Sequence, residues 1–333
     1  MTTKLENSSM PVIAASYLGP ALIPNADAAW DEAKLPANAD DLVQKIMGQP
    51  MRRAGRFIKL VCCGALSCMQ GAPKEVLQGK RTGIFLSTGL GNIDEILPFI
   101  TQVFKHDGGF PSPNQFANSV SNAAAFFLAK ACDVKGTVIT VSQEELSFES
   151  ALWLAQSYLD AGEIELALVG GCDVFTPAVE DYRERLNLVP GRYRRAPLGE
   201  GSAWFLLGGD GEAKIGDILS VEISSGLADA ESLSSDDLLE NCEKLFKEFQ
   251  HNMKPSDNGS KLLLPGFRLF SIDEASWKKN GWDIDDYLPH CGISSTASAY
   301  GLARGMMSHR RSFLVHGNDH ASGRRALIAA VTK

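Results

Sequence analysis

Apolar and polar residues alternate along this chain in two distinct periods. Residues 51–69, MRRAGRFIKLVCCGALSCM, carry apolar positions at helical spacing behind a basic end, which predicts a helix with one long apolar face. GIFLSTG (83–89) is a short apolar run between glycines, the mark of a buried strand. Helical spacing returns in IDEILPFITQVFKHDG (93–108) and in FANSVSNAAAFFLAKACDV (116–134). The small residues that open the second of these let a helix approach its neighbours closely. TVITVS (137–142) is β-branched and predicts a strand. It runs through a tight turn, Gln143-Glu144-Glu145, into a helix that begins near Leu146. Buried strands follow at 165–175, ending in Gly170-Gly171, and at 198–209 after the glycine turn LGEG. The first fifty residues are mixed, and Pro20, Pro24 and Pro36 interrupt any long element there.

GDGEAKIGD (209–217) is polar and glycine-rich and divides the chain into an N-terminal half, 1–209, and a shorter C-terminal half, 210–333. Beyond it come a strand (ILSVEISSG), an amphipathic helix (DDLLENCEKLFKEFQHNM), an apolar run broken by Pro265, a small-residue helix (295–307) and apolar strands at 312–319 and 326–332. Each half holds a small-residue helix, an apolar strand and a glycine turn, a weak sign of internal duplication. Strands alternating with helices predict an α/β fold with its sheet covered on both faces.

At 333 residues the chain is the size of two domains or one fold of two halves, and 44% hydrophobic residues place it among folded globular proteins. A net charge of −8 argues against nucleic acid and against an anionic membrane as partners. No run approaches the roughly 18 apolar residues of a membrane span. MTTKLENSSMPV lacks the apolar core of a signal peptide, so a cytoplasmic protein is expected. Seven cysteines, without CxxC pairs, read as reduced and mostly buried thiols.

GxxxxGK[ST], GxSxG and HExxH are absent, and GLGNID (89–94) lacks the full dinucleotide fingerprint, so no cofactor is expected. His316 and His320 lie four apart in VHGNDH, a glycine turn rather than a helix. A metal there would need a third ligand, Asp319 or a distant carboxylate. The expected reading is a polar turn with solvated imidazoles and no metal site. Glu144 and Glu145, as sequence neighbours, are not expected to share a proton, and acidic residues suit the first turn of a helix.

The order SVSNAAA, TVITVS with its turn, LALVGGCDVF and PLGEGSAWFLL resembles the β-ketoacyl synthases of the thiolase fold. Their second segment reads TVS-T-A-C-A-S-G and carries the nucleophilic cysteine. Thr140-Val141-Ser142 match it, Ser147 matches the serine after the nucleophile, and the cysteine falls on Glu145. Gly199-Glu200-Gly201 match the family's GEGAG. FANSVSNAAA is similar to the small proteins described by an N-terminal ketosynthase-like domain. The resemblance runs from about Phe57 to the C-terminus and is most specific over 116–207. It implies a five-layered α-β-α-β-α fold of two pseudo-repeated halves.

The departures carry the functional expectation. The family's two catalytic histidines have no counterpart in LPGFRLFSID or HCGISSTASAYG, where Ile293 takes the place of one. A carboxylate does not accept an acyl group as a thiolate does, and it repels a malonyl carboxylate. The resemblance therefore points to a chain-length factor, a silent subunit that pairs with an active ketosynthase and shapes its acyl tunnel. An acyl carrier protein would dock through the partner, in a type II polyketide pathway (aryl polyene or a related polyene) or a fatty-acid-like one. In such subunits the strand before the nucleophile turn lies at the twofold interface. That assigns Thr137, Val138, Ile139, Thr140, Val141 and Asn122 to the interface, and Phe110, Phe116, Phe126 and Phe127 as tunnel-shaping candidates. Two rivals remain open: a homodimeric thiolase-fold hydrolase or decarboxylase with Glu145 as base, and a scaffold protein that merely inherits the fold.

Overall fold

Among the described residues, eleven strands, β1 (Thr2–Thr3), β2 (Met10–Leu18), β3 (Thr82–Ser87), β4 (Val138–Val141), β5 (Leu166–Asp173), β6 (Gly201–Gly208), β7 (Gly216–Ser224), β8 (Lys261–Pro265), β9 (Trp282–Ile284), β10 (Phe313–Asp319) and β11 (Arg325–Thr332), hydrogen-bond into one sheet in the computed structural model. It describes residues 2–3, 9–105, 112–176, 197–208, 215–224, 235–250, 259–266, 269, 272–320 and 322–333. The order is β4-β3-β5-β6-β2-β7-β11-β10-β8-β9, with β1 beside β7. The path repeats itself. β4, β3 and β5 are parallel, and β6 and β2 follow antiparallel. In the same way β9, β8 and β10 are parallel, and β11 and β7 follow antiparallel. The first strands of the two units, β2 and β7, pair over Met10–Val12 and join them.

Period-two alternation sorts the strand side chains into layers. Ala167, Val169, Phe205, Leu314, Ile328 and Leu264 face one central core. Leu166, Leu168, Trp204 and Leu206 face a second core, and Phe313, Val315, Leu327 and Leu263 a third. Helices α1 (Ala39–Met47), α2 (Arg56–Gln70) and α6 (Ala123–Ala131) bury their apolar stripes in the second core. α8 (Ser235–Phe249) and α9 (Glu274–Lys279) cover the third. α7 (Ser147–Asp160) and α11 (Ala297–Ser308) fill the centre. The result is helix, sheet, helix pair, sheet, helix: the five layers expected. Short α3 (Lys74–Leu77) and α10 (Leu288–Cys291), with surface helices α4 (Ile93–Lys105) and α5 (Pro113–Ser119), complete the described residues. α11 fits its narrow slot because it is built of small residues. A Cβ on Gly301 would sit 2.3 Å from the Tyr287 ring, and one on Gly305 2.7 Å from Leu264.

Two elements differ from the sequence expectation. Met10–Leu18 is a fully buried nine-residue strand at the centre of the sheet, not mixed structure. Its pattern is hidden because the register with β6 slips between Val12 and Ala14. Met10, Val12, Ala15 and Tyr17 face the central core, while the adjacent Ile13 and Ala14 share the opposite one. One extra residue in a strand inverts the alternation after it. Residues 116–134 form two helices rather than one: α5 ends at Val120 in extended backbone, and α6 starts after Asn122. α5 begins on Ser112, whose side chain accepts from Gln115 N, with Pro113 at the first helical position, both favourable there. No helix among the described residues is long and apolar enough to cross a membrane.

Candidate functional site

The chain enters the central layer through the turn after β4. Residues Glu144–Leu146 make one 3-10 turn ahead of α7. Glu144 adopts a left-handed φ of 51°, a conformation that costs a non-glycine residue about 1 kcal/mol or more. Buried Ser147 holds it there: its hydroxyl accepts from Gln143 N at 2.9 Å and donates to Glu144 O at 2.6 Å. This backbone turns Glu144 toward solvent and Glu145 inward, leaving Glu145 3% exposed.

Glu145 meets residues from β10 and the β10–β11 hairpin. Asn318 Nδ2 donates to the Glu145 carbonyl at 2.8 Å and reaches Glu149 Oε1 at 3.4 Å. His320 Nε2 lies 2.9 Å from Glu144 Oε2 and 3.5 Å from Glu145 Oε2. One helical turn further in, Glu149 is fully buried with His316 Nδ1 4.0 Å away. Burial pushes the Glu149 carboxyl up to about 7 and the His316 imidazole down to about 3, because each charged form loses its hydration. His316 is thus neutral, and its Nε2 lies 3.0 Å from the Tyr287 hydroxyl. Asp319 instead pairs with Arg325 at 2.7 and 3.0 Å. The expectation of solvated imidazoles is therefore corrected: His316 is inaccessible, His320 is 8% exposed, and both belong to a buried polar group.

Backbone approaches fix the frame around this group. Asp173, at the end of β5, accepts from Thr88 Oγ1, Gly89 N and Leu90 N on one oxygen and from Thr296 N and Oγ1 on the other. It ties the exit of β3 to the start of α11. Burial raises its pKa, against the pull of those hydrogen bonds. Glu200 pairs with Arg56 and accepts from Phe175 N. Gly199 N donates to Ile293 O at 2.9 Å and Ile293 N donates to Pro197 O at 2.8 Å, and a Cβ on Gly199 would fall 1.8 Å from the Cys291 carbonyl oxygen. Ile293 is buried in the central core beside Leu198. Burial raises the thiols, those of Cys63 and Cys132 to about 12, so they stay protonated and weakly nucleophilic.

The assigned residues Val138–Val141 form β4, and α6 packs beside it. Among the described residues β4 is an outermost strand and bonds only to β3. Thr137 O accepts from Ile84 N, and Val138, Ile139, Thr140 and Val141 are half-buried or exposed. Asn122 is exposed at the head of α6. Phe126, 66% exposed, lies on α6, which packs beside β4, and Phe116, 59% exposed, lies on α5, which packs on α6; Phe127 is half-buried against α2, and Phe110 lies outside the described residues. Seven of the ten large apolar side chains exposed among the described residues belong to this region: Leu97, Ile100, Phe104, Phe116, Val120, Phe126 and Val138. α4 is strongly amphipathic yet buries none of its residues.

Residues 23–183 match the sequence model of the β-ketoacyl synthase N-terminal domain. The likeness thus starts earlier than Phe57. No curated protein matches the chain. Solved structures match over nearly its full length. The ishigamide ketosynthase/chain length factor superposes with a TM-score of 0.74 at 16% identity, covering 98% of this chain and 99% of its own. A type II polyketide acyl-carrier protein complex with its ketosynthase bound to the hexaketide gives 0.73 at 12%, covering 98% and 100%. A β-ketoacyl synthase from Burkholderia phymatum STM815 gives 0.69 at 14%, covering 98% and 99%. The chain is ketosynthase-like over 23–183, and its fold is the thiolase-like ketosynthase fold.

The polar group around Glu145 was legible in part. Glu145 and Glu149 are four apart at the start of a helix, and Leu314, His316 and Asn318 alternate on one strand face. What sequence spacing does not supply is that β10 crosses beside α7 at these residues.

Proposed function

We propose that this chain is a non-catalytic, chain-length-factor-like subunit that pairs with an active ketosynthase through β4 and the helices beside it. The observation that carries the reading is a pairing of two features. The turn that mounts a cysteine in ketosynthases holds a buried carboxylate, and the edge strand entering that turn is bordered by an uncovered apolar surface. Exposed apolar side chains gathered on α4, α5 and α6, helices that pack in sequence up to β4, mark a surface for a partner, and an edge strand invites a partner strand. Glu145 lacks the nucleophilicity for acyl transfer, the buried thiols are protonated, and Ile293 can neither donate to an oxyanion nor shuttle a proton. Catalysis would then belong to the partner, with the acyl carrier protein docking there. Phe116 and Phe126 would pack across the interface and shape the partner's acyl tunnel. The pathway would be of the type II polyketide kind, an aryl or related polyene by the FANSVSNAAA resemblance.

Co-expression with the ketosynthase encoded nearest to this chain tests the reading. A one-to-one heterodimer by intact mass, acylated only on the partner's cysteine, is the expected result. A homodimer that ignores the synthase would overturn it.

His320, 3.5 Å from Glu145, favours the second reading, a homodimeric hydrolase or decarboxylase with Glu145 as base. Turnover of an acyl thioester by the chain alone, abolished in Glu145→Gln, would establish that reading instead.

A further inference from the structure

We propose that Glu144, Glu145 and His320 form a divalent-cation site of the zinc class. The three come from two places far apart in sequence, the turn ahead of α7 and the β10–β11 hairpin. Their ligand atoms all lie within 4.8 Å of one another. His320 Nε2 stands 2.9 Å from Glu144 Oε2 and 3.5 Å from Glu145 Oε2. Ligands around a tetrahedral ion with bonds of about 2.1 Å sit ~3.4 Å apart, so the group needs only small side-chain adjustments to close on an ion. One imidazole with two carboxylates suits zinc or a similar transition ion. Magnesium and calcium call for about six or more oxygens, which three side chains do not supply.

The surroundings are those of a built site. Glu145 and His320 are buried, while Glu144 keeps an open path to solvent, giving an ion an entry and a fourth position for water or an acyl oxygen. The Asn318 bond to the Glu145 carbonyl and the Ser147 clasp on Glu144 fix both carboxylates through their backbone. Ser322 presents its hydroxyl at 2.8 Å and its backbone N–H at 3.0 Å to His320 Nδ1. Without an ion, Nδ1 accepts from that N–H, and the ring proton on Nε2 points at Glu144. An ion on Nε2 requires the ring proton to move to Nδ1 and be donated to the Ser322 hydroxyl, the outer-shell bond that ligating histidines use, in place of the bond Nδ1 accepts from the Ser322 N–H. One positive ion would also offset two carboxylates carried on adjacent residues of one turn.

Titration of the chelator-stripped chain with zinc chloride, followed by calorimetry, tests the site, and cobalt absorption reports its geometry. The expected result is one equivalent per chain and cobalt bands of tetrahedral intensity. Glu145→Gln and His320→Ala should each weaken binding roughly 100-fold or more, and Ser322→Ala, which removes only the outer bond, about 10-fold. His290→Ala and His309→Ala should leave it unchanged. Glu144→Gln lies at the surface and keeps the fold, so it isolates ligation from stability; it too should abolish the cobalt bands. Failure of the wild-type chain to bind zinc would overturn the proposal. So would binding that persists undiminished in Glu144→Gln and His320→Ala, which would place the ion elsewhere. Neither outcome depends on whether a ketosynthase partner binds.

Discussion

The outermost strands of the two units, β4 and β9, hold equivalent positions and are finished in opposite ways. β9 has three residues. Trp282 is buried, packs edge-on against Trp277 at 5.7 Å and donates to Glu243 at 2.6 Å. Lys261 bonds the same carboxylate and lies over the Trp282 ring. Asp283 is exposed, and α9 closes the side with Lys278 and Lys279. A short, charged, covered edge is how proteins prevent unwanted strand pairing. β4 is longer, uncharged and β-branched, and packs beside α6, which carries the exposed Phe126. One topology thus carries one sealed end and one open end, which argues that the open end has an occupant.

The strongest way to break this contrast is to charge the open edge. Val138→Asp with Phe126→Asp should weaken association with the proposed ketosynthase partner roughly 100-fold, or about 3 kcal/mol, by size-exclusion light scattering, with the isolated chain's melting nearly unchanged. Asp283→Lys at the sealed edge should leave association unaltered. If both edges respond alike, the contrast carries no functional meaning.

Gly199→Ala probes the frame shared by the units. Its Cβ would strike the Cys291 carbonyl, so urea denaturation should report a loss of about 3 kcal/mol.

A subtler experiment sharpens the view of the centre, where residues of both units meet. Glu149 is raised from 4.5 to about 7, so the native state holds a proton that the unfolded chain releases, and this contribution declines as pH rises from about 4.5 to 7. His316 is lowered from 6.5 to about 3, so its contribution declines as pH falls below 6.5. Between pH 4.5 and 6.5 the two slopes oppose and nearly cancel. Glu149→Gln should expose the histidine slope, a loss of about 1.4 kcal/mol per pH unit on acidification through that window. His316→Gln should give the opposite slope. Denaturant melts at pH 4.5, 5.5 and 6.5 would read both, and a variant as flat as wild type would sink the assignment.

The smallest expected effect is on product. Phe116→Ala, with the heterodimer intact, should lengthen or broaden the products by mass spectrometry. An unchanged profile would remove Phe116 from the tunnel.

Alternation and helical spacing alone determined most of the elements, because burial on one face or two is written in apolar periodicity. They also determined the turn at Glu145, since β-branched residues leading into an amphipathic helix leave little other geometry. Tertiary structure decided the rest. The bulge at Ile13–Ala14 made β2 a central strand although its alternation is broken. The exposure of Phe116 and Phe126 was undecidable from sequence, where an aromatic residue on a helix looks the same facing a core or a partner. The crossing of β10 beside α7 brought His320 to Glu144 and Glu145 across more than 170 residues. Local periodicity records which side of an element is buried, and only the packed fold records what it is buried against.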